Sequence, residues 1–358
     1  MRYQRQIILP QIKSEGQSAI GNARVLLVGA GGLGTPAAQY LAAAGVGHLR
    51  IFDGDLVEMS NLHRQVLFDA SDCGKNKASV LAERLQRLNT DCVIESHPVF
   101  LDKTLAVKYF PDADVIIDGT DNFASKYLLN DVAAFFEKPL VYGAISQFEG
   151  QASVFWQGHG PCYRCLFPNP PKASIQNCAE SGVLGPLPGM IGAMQAMECL
   201  KIILYQQNSK MLIPLLGQLA TFDFAFNSFH SYQLLQMPTC RCATAGYRLA
   251  DIHELEMKSC NLDEAVSNHA FKEAPKGATT RIIDVRTQAE WDEFHISGSI
   301  HWPFHLMVKG EFPELNEGED YFCVCLSSTR ARKAKDILRV HGHLNVSYLT
   351  GSVYEYSS

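Results

Sequence analysis

The chain has 358 residues, room for two domains at about 150 residues each. Its 31 Lys and Arg against 37 Asp and Glu give a formal charge of −6, which disfavours nonspecific binding to nucleic acid or an anionic membrane surface. With 47% hydrophobic and 19% charged residues, the composition is that of a soluble globular protein and not of a disordered one.

The opening run Met1-Arg2-Tyr3-Gln4-Arg5-Gln6 lacks the apolar core of a signal peptide, so the expected compartment is cytoplasmic. Residues 25–47 are apolar but broken by glycines, Pro36 and Gln39, and read poorly as a membrane span. Residues 25–28 read as a buried strand, followed by a glycine turn and an Ala-rich helix over 35–44. Strands at 49–52, 93–95, 115–117 and 140–142 alternate with helices over 77–88 and 125–136. That alternation implies an α/β fold with a Rossmann-like, doubly wound and mostly parallel sheet. Residues 152–156 and 220–224 look like added strands, and 186–192 lead into a long helix over 193–205. Near 240–247 the composition turns small and polar. A second, smaller α/β pattern begins at Leu249, with a helix over 251–257, strands at 281–285 and 321–325, a helix over 330–340 and a strand at 346–349. The expected division is 1–243 for the first domain, 244–248 for a linker and 249–358 for the second.

Gly29-Ala30-Gly31-Gly32-Leu33-Gly34 matches G-x-G-x-x-G between a strand and a helix, and Asp53 stands 19 residues after Gly34, where a ribose-binding carboxylate is expected. Such glycines let the backbone approach a phosphate at a helix N-terminus. An NAD site fits the turn equally well. Arg64, within Ser60-Asn61-Leu62-His63-Arg64-Gln65, and Lys77, opening the next helix, favour a triphosphate over a nicotinamide; solvated surface charge is the plain alternative. Asp118-Gly119-Thr120-Asp121-Asn122 follows a buried strand, where a carboxylate is placed to hold Mg²⁺.

Arg2-Tyr3-x-Arg5-Gln6, the glycine turn, Asp53-x-Asp55, Ser60-Asn61-Leu62-x-Arg64-Gln65, Lys77 and Thr120-Asp121-Asn122 together resemble the MoeB/ThiF adenylyltransferases, relatives of ubiquitin-activating enzymes. The resemblance covers residues 1 to about 243. It implies adenylation of the C-terminal glycine of a small ubiquitin-like sulfur-carrier protein, MoaD- or ThiS-like. It also implies ATP binding by Gly29, Gly31, Gly32, Gly34, Asp53, Asp55, Ser60, Asn61, Arg64, Lys77, Asp121 and Asn122. Arg5 is then expected to reach the site of a neighbouring subunit in a homodimer. The chemistry agrees: a carboxylate is a weak nucleophile, so the site has to neutralise the triphosphate and the departing pyrophosphate, for which Arg5, Arg64, Lys77 and Mg²⁺ on Asp121 suffice.

The cysteines number eleven, an odd count without an export signal, which favours metal or thiol chemistry over a disulfide framework. Cys162-x-x-Cys165 and Cys240-x-Cys242 offer four thiolates for tetrahedral Zn²⁺, with redox use of the C-x-x-C as the competing reading. The resembled family carries such a zinc site, but its second pair is C-x-x-C, one residue longer than here. Cys178, in the polar loop 177–183, corresponds to a family cysteine that forms a thioester or persulfide link with the carrier in some members; a quiet loop thiol is the alternative. Cys199 reads as packing, and Cys73, Cys92 and Cys260 have no partner pattern.

Ile282-Ile283-Asp284-Val285-Arg286, Glu290-Trp291, His295-Ile296-x-Gly298-Ser299-Ile300 and Cys325-Leu326-Ser327-Ser328-Thr329-Arg330 resemble a rhodanese domain, whose loop cysteine carries a persulfide. A loop that closes a strand and opens a helix aims backbone N–H groups at one sulfur, and Arg330 adds a cation, both lowering the thiol pKa. Ser328, Phe294 and Gly351-Ser352 depart from the family's glycines. Cys323 is read as core, on the opposite side of the strand from Cys325. A docking-only domain is the alternative.

Together these readings give a carrier activated as an acyl adenylate and then thiolated by the Cys325 persulfide, loaded by a cysteine desulfurase or a small-molecule persulfide. The thiocarboxylate product serves molybdenum cofactor or thiamine biosynthesis. An NAD-dependent oxidoreductase and a non-catalytic scaffold for a ubiquitin-like partner remain open.

Overall fold

The computed structural model describes residues 2–170, 182–206, 212–243, 247–252, 265–266, 280–316, 319–326, 329–343, 345–349 and 353. The chain divides into two compact units, Met1–Leu255 and Glu256–Ser358.

The first unit is built on one eight-stranded sheet: β1 (Arg24–Val28), β2 (His48–Phe52), β3 (Val93–His97), β4 (Val115–Asp118), β5 (Leu140–Ser146), β6 (Glu149–Phe155), β7 (Gln218–Asp223) and β8 (Ser228–Gln233), in the order β3-β2-β1-β4-β5-β6-β7-β8. The first five are parallel, and β6 to β8 extend the sheet antiparallel. The central strands β1 and β4 read as apolar runs because both faces are covered, whereas the edge strands β3 and β8 are polar and more exposed. Val25 and Leu27 of β1 pack on one side with Ala38, Leu41, Leu81 and Ile202; Leu26 and Val28 pack on the other with Phe110, Leu129 and Val132.

The helix Pro186–Gln206 starts seven residues before the expected helix over 193–205. Prolines at its first and third positions fill the turn whose N–H groups have no intrahelical partner, so they start the helix and do not block it. At 21 residues it is long and apolar enough to cross a membrane, yet Ile202, Cys199 and Ala196 lie fully in the core.

The first unit extends beyond the expected boundary at 243–248. Ile252 is 1% exposed and packs in its core, and Lys103 Nζ donates to the Ile252 carbonyl at 2.6 Å. Leu249–Asp251 form a single 3-10 turn that ends at the extended Ile252, so the helix expected over 251–257 does not start there; 253–257 fall outside the described residues.

The second unit is a five-stranded parallel sheet of β9 (Ala265–Val266), β10 (Thr280–Asp284), β11 (Ile300–His301), β12 (Asp320–Val324) and β13 (Val346–Leu349), in the order β11-β10-β12-β13-β9. Its core gathers Ile283, Val285, Tyr321, Cys323, Cys325, Ala331, Ala334 and Leu338.

Candidate functional site

In the first unit the strand order reverses between β1 and β4, and the crevice beyond their carboxyl ends is where an open α/β sheet binds its ligand. The glycine turn lies there. Gly29 has φ +94°, and a Cβ on it would stand 2.7 Å from the Gly119 carbonyl oxygen. A Cβ on Gly34 would stand 1.8 Å from the Gly29 oxygen, so the turn closes on itself and against the loop after β4 only if both positions are bare. The Gly34–Ala44 helix follows at once, its N-terminal N–H groups facing the crevice as an anion site.

Asp53 follows β2 and is 7% exposed. Its Oδ2 accepts from the Ala30 N–H at 2.6 Å and its Oδ1 from the Asp55 N–H at 2.8 Å. Burial pushes its carboxyl up, against the opposing pull of the Lys77 ammonium and of these donors. Asp53 therefore shapes the turn from beneath as well as offering its remaining lone pairs to a ligand. Lys77 is 7% exposed and pairs with Asp55 at 3.0 Å. Asn76 caps its helix through Ser79 N–H and donates to the Asp53 and Asp55 carbonyls at 2.9 and 3.1 Å. The sequence carried this signal, an Asn directly before a helix, but the reading stopped at Lys77.

The Ser60–Gln65 segment flanks the same turn. Asn61 is buried and donates to Ser60 Oγ at 3.0 Å, and Arg64 donates to the Ser60 carbonyl at 3.0 Å. Gln65 is 3% exposed, its amide lies beside Gly31, and its Oε1 has no partner among the described residues. The bare cradle and the cations Arg64 and Lys77 fit a nucleotide phosphate chain, while the unpaired Gln65 oxygen, an acceptor, suits a donor such as a hydroxyl rather than a phosphate.

The two aspartates after β4 differ. Asp118 is 1% exposed and fully engaged: Oδ1 accepts from Thr120 N–H and Oγ1 at 3.0 and 2.6 Å, and Oδ2 pairs with Lys126 Nζ at 2.9 Å. Lys126, absent from the sequence reading, also donates to the Thr120 and Gly143 carbonyls, each at 2.9 Å. Asp121 is exposed, so it is the carboxylate open to a cation. Asn122 caps the Phe123–Phe135 helix through Ser125 N–H at 2.8 Å. Arg5 lies exposed on the short helix Gln4–Ile7.

The two cysteine pairs converge despite the short second spacing. The sulfurs of Cys162, Cys240 and Cys242 lie within 4.8 Å of one another, Cys162 and Cys240 are 3.4 Å apart, and Cys165 is 3.9 Å from Cys162. Zn–S bonds of about 2.3 Å place tetrahedral sulfurs about 3.8 Å apart, so the three sulfurs that lie together fit Zn²⁺, with Cys165 adjoining them through Cys162 as the candidate fourth ligand. The Cys242 sulfur and burial push the Cys162 thiol up, and burial pushes the Cys240 thiol up to about 12. A dication reverses that penalty on the thiolates. Cys199 is fully buried in the helix core, as packing requires. Cys178 lies outside the described residues.

In the second unit Cys325 directly follows β12, is 1% exposed and accepts the Ala331 N–H on its sulfur at 3.4 Å. That donor opens the Thr329–Val340 helix; Ser327 and Ser328 lie outside the described residues. Arg330 does not stand alone beside the thiol. Its guanidinium grips Glu290 through two bonds of 2.6 and 2.8 Å, and Glu290 also accepts from Thr287 N–H and Oγ1. Cys323 is core, but on the same side as Cys325 and not the opposite one: both pack in one cluster while Val324 packs in another. Positions two apart share a strand face, which the sequence reading inverted.

A doubly wound sheet with a glycine turn at its switch point, a group of three buried cysteines with a fourth beside one of them, and a separate thiol-bearing α/β unit are the features of a nucleotide-binding class of protein that also carries reactive thiols. Residues 3–244 match the ThiF family and residues 267–358 match the rhodanese-like domain. The chain belongs to the ThiF family and carries a C-terminal rhodanese-like domain. It is 46% identical over 245 residues to the sulfur carrier protein adenylyltransferase of Thermus thermophilus, a match spanning 67% of this chain and 89% of that protein. It is 42% identical over 272 residues to adenylyltransferase and sulfurtransferase MOCS3 of Anopheles gambiae, spanning 74% of this chain and 60% of that one. Among solved structures, Escherichia coli MccB with MccA-N7isoASN shares the fold, with a TM-score of 0.55 at 23% identity over 64% of this chain and 69% of that one. The family membership displaces the NAD reading of the glycine turn.

Proposed function

We infer that the chain adenylates the C-terminal glycine of a ubiquitin-like sulfur-carrier protein and then exchanges the adenylate for sulfur. The observation that carries this is the presence, in one ThiF-family chain, of the bare glycine cradle backed by Asp53 and Lys77 and of a buried Cys325 sulfur held by a helix N–H.

A carrier carboxylate oxygen attacks the α-phosphorus of ATP, and the bond to pyrophosphate breaks. Arg64 and Lys77, with Arg5 reaching in from the second subunit of a homodimer, neutralise the phosphates, while the glycine turn aligns them. Mg²⁺ at Asp121 supplies further charge neutralisation; Asp118 is already paired. Zn²⁺ on Cys162, Cys165, Cys240 and Cys242 has a structural role. No general base is needed.

The terminal sulfur of a Cys325 persulfide then attacks the acyl carbon, and AMP leaves with the bonding pair. Attack of a second thiolate on the Cys325 sulfur of the resulting acyl disulfide frees the carrier thiocarboxylate and leaves an enzyme disulfide, which a cellular thiol reduces. Cys178 is the thiol proposed to assist, through an acyl-enzyme or a disulfide-linked intermediate. A cysteine desulfurase or a small-molecule persulfide reloads Cys325, and tethering the two domains raises the donor's local concentration. The product feeds molybdenum cofactor or thiamine biosynthesis, in the cytoplasm.

Intact-mass spectrometry of candidate carriers, incubated with the protein, ATP, Mg²⁺ and a persulfide donor, tests this. The expected result is an AMP adduct followed by sulfur incorporation, with Cys325→Ser stopping at AMP. Absence of any carrier-dependent adduct and of pyrophosphate release overturns it.

A further inference from the structure

We propose that Asp131 is a positioning residue for the zinc site: one buried carboxylate holds the arginine that lies inside each cysteine pair, and thereby brings the two pairs together. The proposal rests on the zinc reading given above. Asp131 sits on the Phe123–Phe135 helix with no exposed surface. Arg164, between Cys162 and Cys165, donates from Nε to Oδ1 at 2.6 Å and from Nη2 to Oδ2 at 2.8 Å. Arg241, the single residue between Cys240 and Cys242, donates from Nη2 to Oδ2 of the same carboxylate. The neighbouring Asn130 ties in the same parts, accepting the Tyr163 N–H at 2.8 Å and placing Nδ2 3.7 Å from the Cys242 sulfur.

This arrangement solves two problems at once. The cysteine pairs are 78 residues apart in sequence at Cys162 and Cys240, and nothing in either pair alone fixes the other. A shared carboxylate does, before any metal enters. The second problem is charge. Four thiolates on a dication leave two negative charges in a buried place, and two guanidiniums against one carboxylate put one positive charge beside them. The short C-x-C spacing also finds its explanation: its one intervening side chain is anchored, so the turn presents both sulfurs to the same point. Partners that orient ligands in this way are worth about 10–100-fold in metal affinity.

The experiment uses the full-length, zinc-loaded protein and follows zinc release to a chelator with an optical zinc indicator. Asp131→Asn and Arg241→Met are each expected to speed release about 10–100-fold. The two combined are expected to be no faster than Asp131→Asn alone, because both act through one carboxylate. Ile202→Val, a comparable loss of packing in a separate core cluster, is expected to release zinc at the wild-type rate. Should Asp131→Asn not fold, Arg241→Met, with its side chain 39% exposed, carries the test alone. Wild-type release in either single variant, or additive effects in the pair, overturns the proposal. A wild-type protein that binds no zinc overturns the zinc reading itself, whereas zinc-loaded wild type with unchanged variants overturns only the role of Asp131.

Discussion

Lys126 Nζ donates to Asp118 Oδ2 at 2.9 Å with 8% of the lysine side chain and 1% of the aspartate side chain exposed, an ion pair sealed at the carboxyl end of β4. Because the lysine also holds the Thr120 and Gly143 carbonyls, it ties the loop that carries Asp121 to the neighbouring strand. Removing one partner of a buried pair leaves the other charge stranded, which costs about 3–5 kcal/mol. Lys126→Met is therefore expected to lower the unfolding free energy in urea by about that amount. Adding Asp118→Asn to it is expected to recover part of the loss, since no carboxylate then remains unpaired. A double variant less stable than Lys126→Met contradicts the pairing.

Asp121 has the opposite setting. It is exposed, three residues past Asp118, and takes no part in the buried network. Asp121→Ala is expected to leave the melting temperature unchanged while carrier-dependent ATP–pyrophosphate exchange falls by about 10²-fold or more, the size of a lost charge-stabilising group. Unchanged exchange removes Asp121 from the site.

The glycine turn predicts its own intolerance. At Gly34 a methyl would stand 1.8 Å from the Gly29 oxygen, and both are backbone atoms with little room to move. Gly34→Ala is expected to cost about 1–3 kcal/mol and to abolish nucleotide binding measured by calorimetry. Gly189, in the first turn of the Pro186–Gln206 helix, is the contrast: nothing stands within 4 Å of its Cβ position. Gly189→Ala is expected to be neutral or to stabilise by up to about 1 kcal/mol, from helix propensity.

These cases also mark what the sequence made legible. The alternation of apolar runs with helices, the glycine spacing and Asp53 were readable because they are local in the chain and carry fixed periods. The Lys126–Asp118 pair and the Asp131 clamp were not, because a charged residue inside a helix looks the same whether it faces water or a buried partner. Arg164 and Arg241 were printed inside the cysteine motifs, yet their shared carboxylate stands 33 and 110 residues away. The helix expected over 193–205 begins at Pro186; the run 186–192, with its prolines and glycines, lacks the amphipathic pattern that marks the rest, although prolines are tolerated in a first turn. The side of Cys323 follows from a period that the sequence did contain.

The last prediction concerns Glu290 beside the candidate persulfide loop. The Arg330 guanidinium, through two hydrogen bonds, and the Thr287 donors hold its carboxyl down at about 2, against an ordinary 4.5. A carboxyl depressed on folding contributes stability above its unfolded pKa and loses it as pH falls through its folded one. The contribution is therefore full at neutral pH and drains between about pH 4.5 and about pH 2. Glu290→Gln removes it throughout. The wild type is thus expected to unfold at higher urea than Glu290→Gln at pH 6, with the gap narrowing steadily below pH 4.5 and closing near pH 2. A gap that persists unchanged at pH 2 means that the two proteins differ by packing, and that the Arg330 pair holds no proton-linked energy.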